Sequence, residues 1–325
     1  MKALKKTLKL ALTIALLAFL SRQFSIKASA LVLGVSDWRY LGVAVLLPFT
    51  IVPLISVNRW KLFLGQLNIH ERFLSLWRIN CISIFQGLVL PSANGSDLLR
   101  VYYIERRHPE VRGRAGSTVF IERMIGLVVL CLFSLAALPF VATSADFIPI
   151  IMVVGGVSAA CLAAIVVVLH PGLHSLYAGR RSPHVALNRV LAYVDTFHGA
   201  VVTFPYRKIL LSSVCLISGF QLALIANLYL VFRAYGHNIP FVQHLALYPI
   251  ICVISMVPIT IGGFGLREGV FVYFYSFIGV PAEAAVCASI LNYVILNLSP
   301  AALGGLLCLW DSLRGKVPEV RPGVP

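Results

Sequence analysis

Two arginines in this chain lie inside otherwise apolar segments, at the same distance from a proline. Arg100 ends the stretch LPSANGSDLLR, residues 90–100, and Arg267 lies in VPITIGGFGLREG, residues 257–269. In both stretches a glycine follows the proline by four places and the arginine follows it by nine. A guanidinium group is a planar fork of donors that suits phosphate. We therefore interpret the two stretches as matching halves of one anion-binding site.

The same stretches predict breaks in the helical backbone. Proline lacks a backbone N–H, and glycine adds flexibility and removes side-chain bulk. In hydrocarbon, broken backbone is tolerated only where protein buries it or where it lines a wet cavity. Helices that begin after Gly95 and Gly265 would add backbone donors to the same anion. The residues expected to form the two tips are Pro91, Asn94, Gly95, Pro258, Gly262, Gly263 and Gly265.

Acidic residues accompany the arginines. A charged group in the membrane costs roughly 2.5–3.5 kcal/mol on insertion scales, so it is normally paired or functional. Asp97, Glu122 and Glu268 would neutralise the arginines when the site is empty, or carry a coupling proton. The alternatives are that both glutamates form structural ion pairs and that Arg100 extends to the interface. Arg123 follows Glu122 on one helix and faces another direction, so the two need not pair.

Composition places the chain among polytopic membrane proteins. Of its 325 residues 59% are hydrophobic and 12% charged, and the mean hydropathy is +0.90. The net charge of +15 lies in short segments between apolar spans, which favours positive-inside topology over nucleic-acid binding. The seven cysteines are scattered and predict no metal site, and no cofactor is implied. Phosphate-loop, serine-hydrolase and zinc-protease motifs are missing, so we expect no enzyme.

Apolar runs predict about six transmembrane helices, and two intervening segments predict other helices. Asn58–Asn80 mixes basic and aromatic residues and predicts a helix in the cytoplasmic interface, with a solvated loop as the alternative. Ala186–His198 predicts an amphipathic cytoplasmic helix. The six predicted spans are Leu10–Leu20, Tyr40–Val57 (kinked at Pro48 and Pro53), Ser117–Phe140, Ile148–Leu169, Ile209–Phe232 and Ala284–Trp310.

The two motif segments, Cys81–Tyr103 and His244–Gly279, predict re-entrant helical hairpins. The first has basic flanks on both sides, which a simple crossing would place on opposite faces. With a cytoplasmic C-terminal tail, 311–325, the second hairpin would enter from the outer face. The result is one integral membrane domain, an all-α inverted repeat with halves at about 8–140 and 148–310 and both termini cytoplasmic.

These residues also resemble a known family, the lysylphosphatidylglycerol synthase transmembrane (flippase-like) proteins. The resemblance covers about residues 58–310, and members often carry proline where Ile261 stands. It is carried by Leu90-Pro91 with Gly95, Asp97 and Arg100, by Phe120-Ile121-Glu122-Arg123 before Gly126-Leu127, by Val257-Pro258-Ile259-Thr260, by Gly262-Gly263-Phe264-Gly265 with Glu268, and by Gly279-Val280.

The resemblance implies movement of a lipid between leaflets of the bacterial inner membrane. The expected substrate is an anionic, aminoacylated or polyprenyl-phosphate-linked lipid. A separate synthase or glycosyltransferase is an expected partner, because we expect no soluble synthase domain in this polypeptide. The alternatives are an intramembrane lipid-modifying transferase, for which Asp97 alone is thin support, and a non-transporting partner of a biosynthetic complex.

Overall fold

The computed structural model describes residues 34–88, 95–140, 148–170, 185–256 and 266–313. Every regular element within these ranges is helical, as predicted. The α-helices are α1 (Trp38–Leu46), α2 (Ile51–Gly65), α3 (Phe73–Gly87), α4 (Gly95–Arg107), α5 (Ala115–Ala137), α6 (Ile148–Leu169), α7 (Val185–Val202), α8 (Tyr206–Ala234), α9 (Phe241–Ser255), α10 (Leu266–Ser276), α11 (Ala282–Tyr293) and α12 (Ser299–Leu313).

Four helical stretches of the described residues are long and apolar enough to cross a membrane. They coincide with the second, third, fifth and sixth predicted spans, so the chain is a polytopic membrane protein. The predicted fourth span is helical as α6, with a shorter apolar part at Ile151–Ala160. The first predicted span, Leu10–Leu20, lies outside the described residues. The four stretches are Trp38–Gly65, Ala115–Phe140, Lys208–Ala234 and Ala282–Leu313.

Prolines mark the irregular turns inside the spans. The predicted kink at Pro48 is present as a 3₁₀ turn, Leu47–Phe49, between α1 and α2. Pro53 lies in the first turn of α2, where a helix needs no backbone N–H, so the same interruption at Leu47–Thr50 accommodates both prolines. In the last span Pro300 cannot donate to the preceding turn, and a π-helical segment, Val294–Leu298, precedes it.

The predicted interfacial helix over Asn58–Asn80 is wrong. α2 continues to Gly65, and α3 begins after a short turn. Trp60 and Phe63, aromatic residues that such a helix would turn towards lipid, are almost fully buried between helices. A mixture of basic and aromatic residues suits an interface, but it also suits a helix that buries one stripe in a protein core.

α5 lies at the centre of the described bundle. It contacts α2, α4, α6, α7, α8 and α9. Ser134 of α5 donates a hydrogen bond to the backbone carbonyl of Ala246, which ties α5 to α9. α8 packs along both α1 and α2, and the Asn227 side chain donates to the carbonyl of Ala44 at 2.7 Å. Any charged side chain on the inner face of α5 is therefore enclosed by other helices.

Paired helices flank both motifs. α3 packs against α4 on either side of the first motif, and α9 packs against α10 around the second. At the base of the first pair, a Cβ on Gly87 would lie 2.6 Å from the backbone nitrogen of Ser96, so only glycine allows this approach. The tips themselves, 89–94 and 257–265, lie outside the described residues. Six predicted site residues belong there: Pro91, Asn94, Pro258, Gly262, Gly263 and Gly265.

α7 contains the predicted helix Ala186–His198. It packs against α5, and Tyr193 donates a hydrogen bond to the carboxylate of Glu105 at 3.2 Å. This hydrogen bond ties α7 to the end of α4.

A cluster around Glu71 fastens the turn between α2 and α3 to the end of α4. The Glu71 carboxylate lies 3.2 Å from Nε2 of His108 and 3.5 Å from a guanidinium nitrogen of Arg107. Burial raises the pKa of the Glu71 carboxyl, but hydrogen bonds with His108 and Ser75 and the charge of Arg107 outweigh it. The pKa of Glu71 therefore lies below its ordinary value.

This cluster predicts an acid-sensitive contribution to stability. A carboxyl whose pKa is depressed in the folded state stabilises the fold above its ordinary pKa of about 4.3, and the contribution is lost as pH falls through the folded value. The thermal stability of the wild type should therefore fall more steeply below about pH 4.3 than that of Glu71→Gln. Thermal unfolding in detergent from pH 7 to 3 measures the stability of the wild type and of Glu71→Gln. The prediction would be contradicted if the two proteins lost stability in parallel as the pH falls.

Candidate functional site

Three helices bring five charged side chains together inside the first half of the chain. α2 contributes Arg59, α4 contributes Asp97 in its first turn and Arg100 in its second, and α5 contributes Glu122 and Arg123. Asp97 lies in the first turn of α4, at the positive end of the helix dipole, where an acidic side chain is stabilised. We call these five residues the charge cluster.

The charge cluster is a chain of alternating sign. Arg59 donates to Oε1 of Glu122 at 2.5 Å, and Arg100 lies 3.8 Å from the same oxygen. Arg100 in turn donates to Oδ1 of Asp97 at 2.6 Å, and Nε of Arg123 donates to Oδ2 of Asp97 at 2.7 Å. Each carboxylate therefore lies between two guanidinium groups, and an arginine stands at either end.

Four members of the charge cluster are buried. Exposure is 6% for Arg59, 5% for Arg100 and 2% for Glu122, and Asp97 is similarly buried. Arg123 differs, because its side chain is 39% exposed. The cluster is thus a buried row of charges with one open end.

Aromatic rings line the charge cluster. The Arg59 guanidinium stands over the ring of Phe220 at 4.3 Å, and that of Arg100 stands over Trp60 at 5.1 Å. Cations favour such positions over aromatic faces. The Phe220 contact connects α2 to α8, so the cluster also joins the first half of the chain to the second.

Hydrogen-bonding capacity remains in the charge cluster. Nε of Arg59 and Nε of Arg100 are buried, and neither has a hydrogen-bond partner among the residues that the structure describes. The same holds for the indole nitrogen of Trp60 and for Oε2 of Glu122. With every group ionised, three arginines face two carboxylates, which leaves an excess of one positive charge. The net positive charge of the cluster therefore favours the approach of one further anionic oxygen, despite the two carboxylates nearby.

Several site expectations are decided by this geometry. Glu122 and Arg123 pair with different partners, as predicted from their adjacent positions. The alternative in which Arg100 extends to the interface is wrong, because helices α2 and α5 enclose it. Asp97 does neutralise Arg100, and Glu122 lies within reach of the same guanidinium.

Arg59 is the member of the charge cluster that the sequence interpretation missed. The predicted interfacial helix over Asn58–Asn80 would instead turn Arg59 towards the lipid headgroups. The signal that would have found it is the buried stripe of α2, whose members repeat at intervals of three and four: Ser56, Arg59, Trp60, Phe63 and Leu64.

Arg267 and Glu268 form a second charged group, in the first turn of α10. The two side chains pair with each other. Nε of Arg267 donates to the hydroxyl of Ser289 at 3.1 Å, and the guanidinium stands 4.2 Å from the ring centre of Tyr293. The second group thus lies on α10 and α11, whereas the charge cluster lies on α2, α4 and α5.

Comparison with known proteins gives one family and several archaeal relatives. Residues 6–304 match the family described as "Lysylphosphatidylglycerol synthase TM region". A "UPF0104 membrane protein" of Pyrococcus horikoshii is 25% identical over 299 residues, covering 84% of this chain and 88% of the relative. Proteins of the same description from Methanothermobacter thermautotrophicus and Methanocaldococcus jannaschii are each 23% identical, over 284 and 287 residues, covering 80% and 82% of this chain and 80% and 84% of the relatives. No solved structure matches significantly.

Proposed function

Because the chain belongs to the lysylphosphatidylglycerol synthase transmembrane-region family, we propose that it is a lipid translocator whose charge cluster receives the anionic headgroup. The family membership confirms the resemblance predicted from the motif residues. It links the chain to lipid modification or movement, and the charge cluster is the feature that favours movement of an anionic headgroup.

The observation that carries the proposal is the excess of guanidinium over carboxylate in the charge cluster, four members of which are buried and the fifth of which, Arg123, is partly exposed. Charged side chains are rare within membrane-spanning helices, and they mark substrate or ion pathways there. Arg59 and Glu122 both lie within stretches long and apolar enough to span. A phosphate has enough oxygens to accept hydrogen bonds from two guanidinium forks at once.

The proposed route begins at Arg123, the exposed end of the charge cluster. A phosphate that meets Arg123 would compete with Asp97 for it and then reach Arg100. The Asp97 and Glu122 carboxylates hold the arginines in place between substrates. Charge is exchanged one partner at a time, so no arginine is left buried and unpaired, which would cost several kcal/mol.

The route also needs a path for the headgroup across the membrane. We propose the inverted repeat of the sequence prediction, in which two re-entrant hairpins enter from opposite faces and both termini lie in the cytoplasm. Arg267 and Glu268 would then serve the second half as Arg100 and Asp97 serve the first. Cysteine labelling from each side of sealed vesicles tests this. Labelling of residues near 93 and 264 from the same side would contradict it.

The proposed substrate is an anionic, aminoacylated or polyprenyl-phosphate-linked lipid. A separate synthase or glycosyltransferase would supply it, and the site of action would be a bacterial inner membrane. Lipids retained through gentle purification and identified by mass spectrometry test the substrate class.

The test of translocation is leaflet accessibility in liposomes. Purified protein should accelerate the exposure of inner-leaflet fluorescent anionic phospholipid to a membrane-impermeant reagent added outside, and Arg100→Gln should reduce the rate at least about tenfold, because a charge-assisted contact is worth roughly 1.5–3 kcal/mol. Arg106→Gln is the matched control, since Arg106 lies two turns along the same helix and is exposed. Equal rates for both variants, or no acceleration by the wild type for any of the three lipid classes, would overturn the proposal.

A further inference from the structure

The last predicted span is one long helix that packs on two separate hydrophobic cores. Its first part, α11, buries Ala285 and Ala288 in a core that it shares with α8, α9 and α10. Its last part, α12, places Leu307 and Cys308 against a second core, formed mainly by α2, α3 and α4. The π-helical segment, residues 294–298, lies between the two parts. The helix therefore changes its hydrogen-bond pattern where it passes from one core to the other.

A proline accounts for the irregular hydrogen bonds at the end of the π-helical segment. In a π-helix each N–H bonds to the carbonyl five residues back, as the N–H of Ser299 does to Val294. The next residue, Pro300, has no N–H, and the hydroxyl of Ser299 donates to the carbonyl of Ile295 instead. A rotatable side chain thus replaces a backbone hydrogen bond at this turn. Prolines and π-helical turns are the usual sites at which helices bend.

Beyond the π-helical segment, α12 forms one packed unit with α3 and α4. A Cβ on Gly304 of α12 would lie 2.1 Å from the carbonyl oxygen of Cys81 in α3, so the two backbones are in contact. Asp311, near the end of α12, pairs with Arg78 of α3. α3 also packs along α4, which contains Arg100. A movement of α12 would therefore take α3 and α4 with it.

Before the π-helical segment, α11 forms a second packed unit with α10. Nε of Arg267 in α10 donates to the hydroxyl of Ser289 in α11. The Arg267 guanidinium also stands over the ring of Tyr293, which is the last residue of α11. The second charged group therefore belongs to this unit, whereas Asp97 and Arg100 belong to the other.

We propose that the π-helical segment is a hinge, about which α3, α4 and α12 move together relative to α10 and α11. α3 and α4 meet α2 across an apolar core that includes Val57, Trp60 and Leu64, and apolar packing is not directional, so it permits sliding. The movement changes the distance between Arg100 and Arg267. Its use in transport rests on the proposed function, but the hinge itself is tested without a substrate.

The test is the distance between two spin labels, measured by pulsed electron paramagnetic resonance on the full-length protein in phosphatidylcholine nanodiscs. Labels on unnatural amino acids at Leu74 of α3 and Tyr273 of α10 avoid the native cysteines, and both positions are exposed. We expect two distances for this pair. We expect a single distance between Leu74 and Leu306 of α12, because both lie on the same unit. Pro300→Ala restores an N–H at the hinge and should remove the second distance of the first pair.

Two further variants complete the test. Pro249→Ala is the matched control, because Pro249 lies inside the regular α-helix α9, and it should leave both distances in place. Ser299→Ala keeps the proline but removes the hydroxyl that bonds the Ile295 carbonyl, and it should change the proportion of the two distances. The inference would be overturned by a single distance between Leu74 and Tyr273 in the wild type, or by no effect of either variant at the hinge. Translocation can fail in liposomes while both distances are present, so the two proposals are separable.

Discussion

Glu122→Ala should lower the free energy of unfolding by about 3–5 kcal/mol, the usual cost of removing one partner of a buried ion pair. The substitution takes away the carboxylate that Arg59 binds at 2.5 Å and that lies 3.8 Å from Arg100. Three arginines would then face Asp97 alone, which leaves an excess of two positive charges. Chemical unfolding in detergent measures the loss.

The matched control for Glu122→Ala is Glu110→Ala. Glu110 is exposed, near the end of α4, and its side chain lies beside His108. Its replacement should change the free energy of unfolding by no more than about 0.5 kcal/mol, as is usual for surface positions. A similar loss of unfolding free energy in both variants would mean that burial of the charge cluster does not determine how much Glu122 stabilises the fold.

A double replacement separates the structural role of Glu122 from the functional one. Arg59→Met with Glu122→Leu removes both charges and leaves apolar side chains of similar size, and such exchanges are often neutral or stabilising. Methionine would also suit the ring of Phe220, which Arg59 now covers. We expect the double variant to be about as stable as the wild type and yet inactive in the liposome assay. Full activity would show that this pair serves the fold alone.

The sequence predicted the spans well, because twenty or so apolar residues in succession have few other structures open to them. α6 ends at Leu169, as predicted, and the third and fifth predicted spans agree with the structure to within a few residues at both ends. Local chemistry decides these features, so a single sequence contains the necessary information.

The partners of the buried charges were not predictable in the same way. Arg59 and Glu122 are 63 positions apart, and the sequence around either residue does not indicate that the other is its partner. The sequence predicts that the second span ends at Val57, because Asn58 and Arg59 lower the mean hydropathy. In the structure the helix continues beyond Val57 and buries one stripe of its surface. Tertiary packing decides which side of a mixed helix is buried, and the sequence pattern here fits both an interfacial helix and a helix in the protein core.

Close contacts between helix backbones could not be predicted from the sequence either. The closest approach to a glycine among the described residues predicts a second large loss of stability. α3 and α12 pack together, and a Cβ on Gly304 would lie 2.1 Å from the carbonyl oxygen of Cys81. Gly304→Val should therefore force the helices apart and destabilise the protein by at least the roughly 1–3 kcal/mol of an overpacked core. Thermal unfolding in detergent measures it.

The contact explains why no neighbouring side chain can relieve the strain of Gly304→Val. The obstructing atoms at Cys81 belong to the backbone, and the nearest side-chain atom, Cβ of Phe85, is farther away at 3.0 Å. Adding Phe85→Ala should thus deepen the loss. Gly42→Ala, at a helical glycine with nothing within 4 Å, is the control and should be neutral or slightly stabilising. Rescue of Gly304→Val by Phe85→Ala would contradict a backbone contact between α3 and α12.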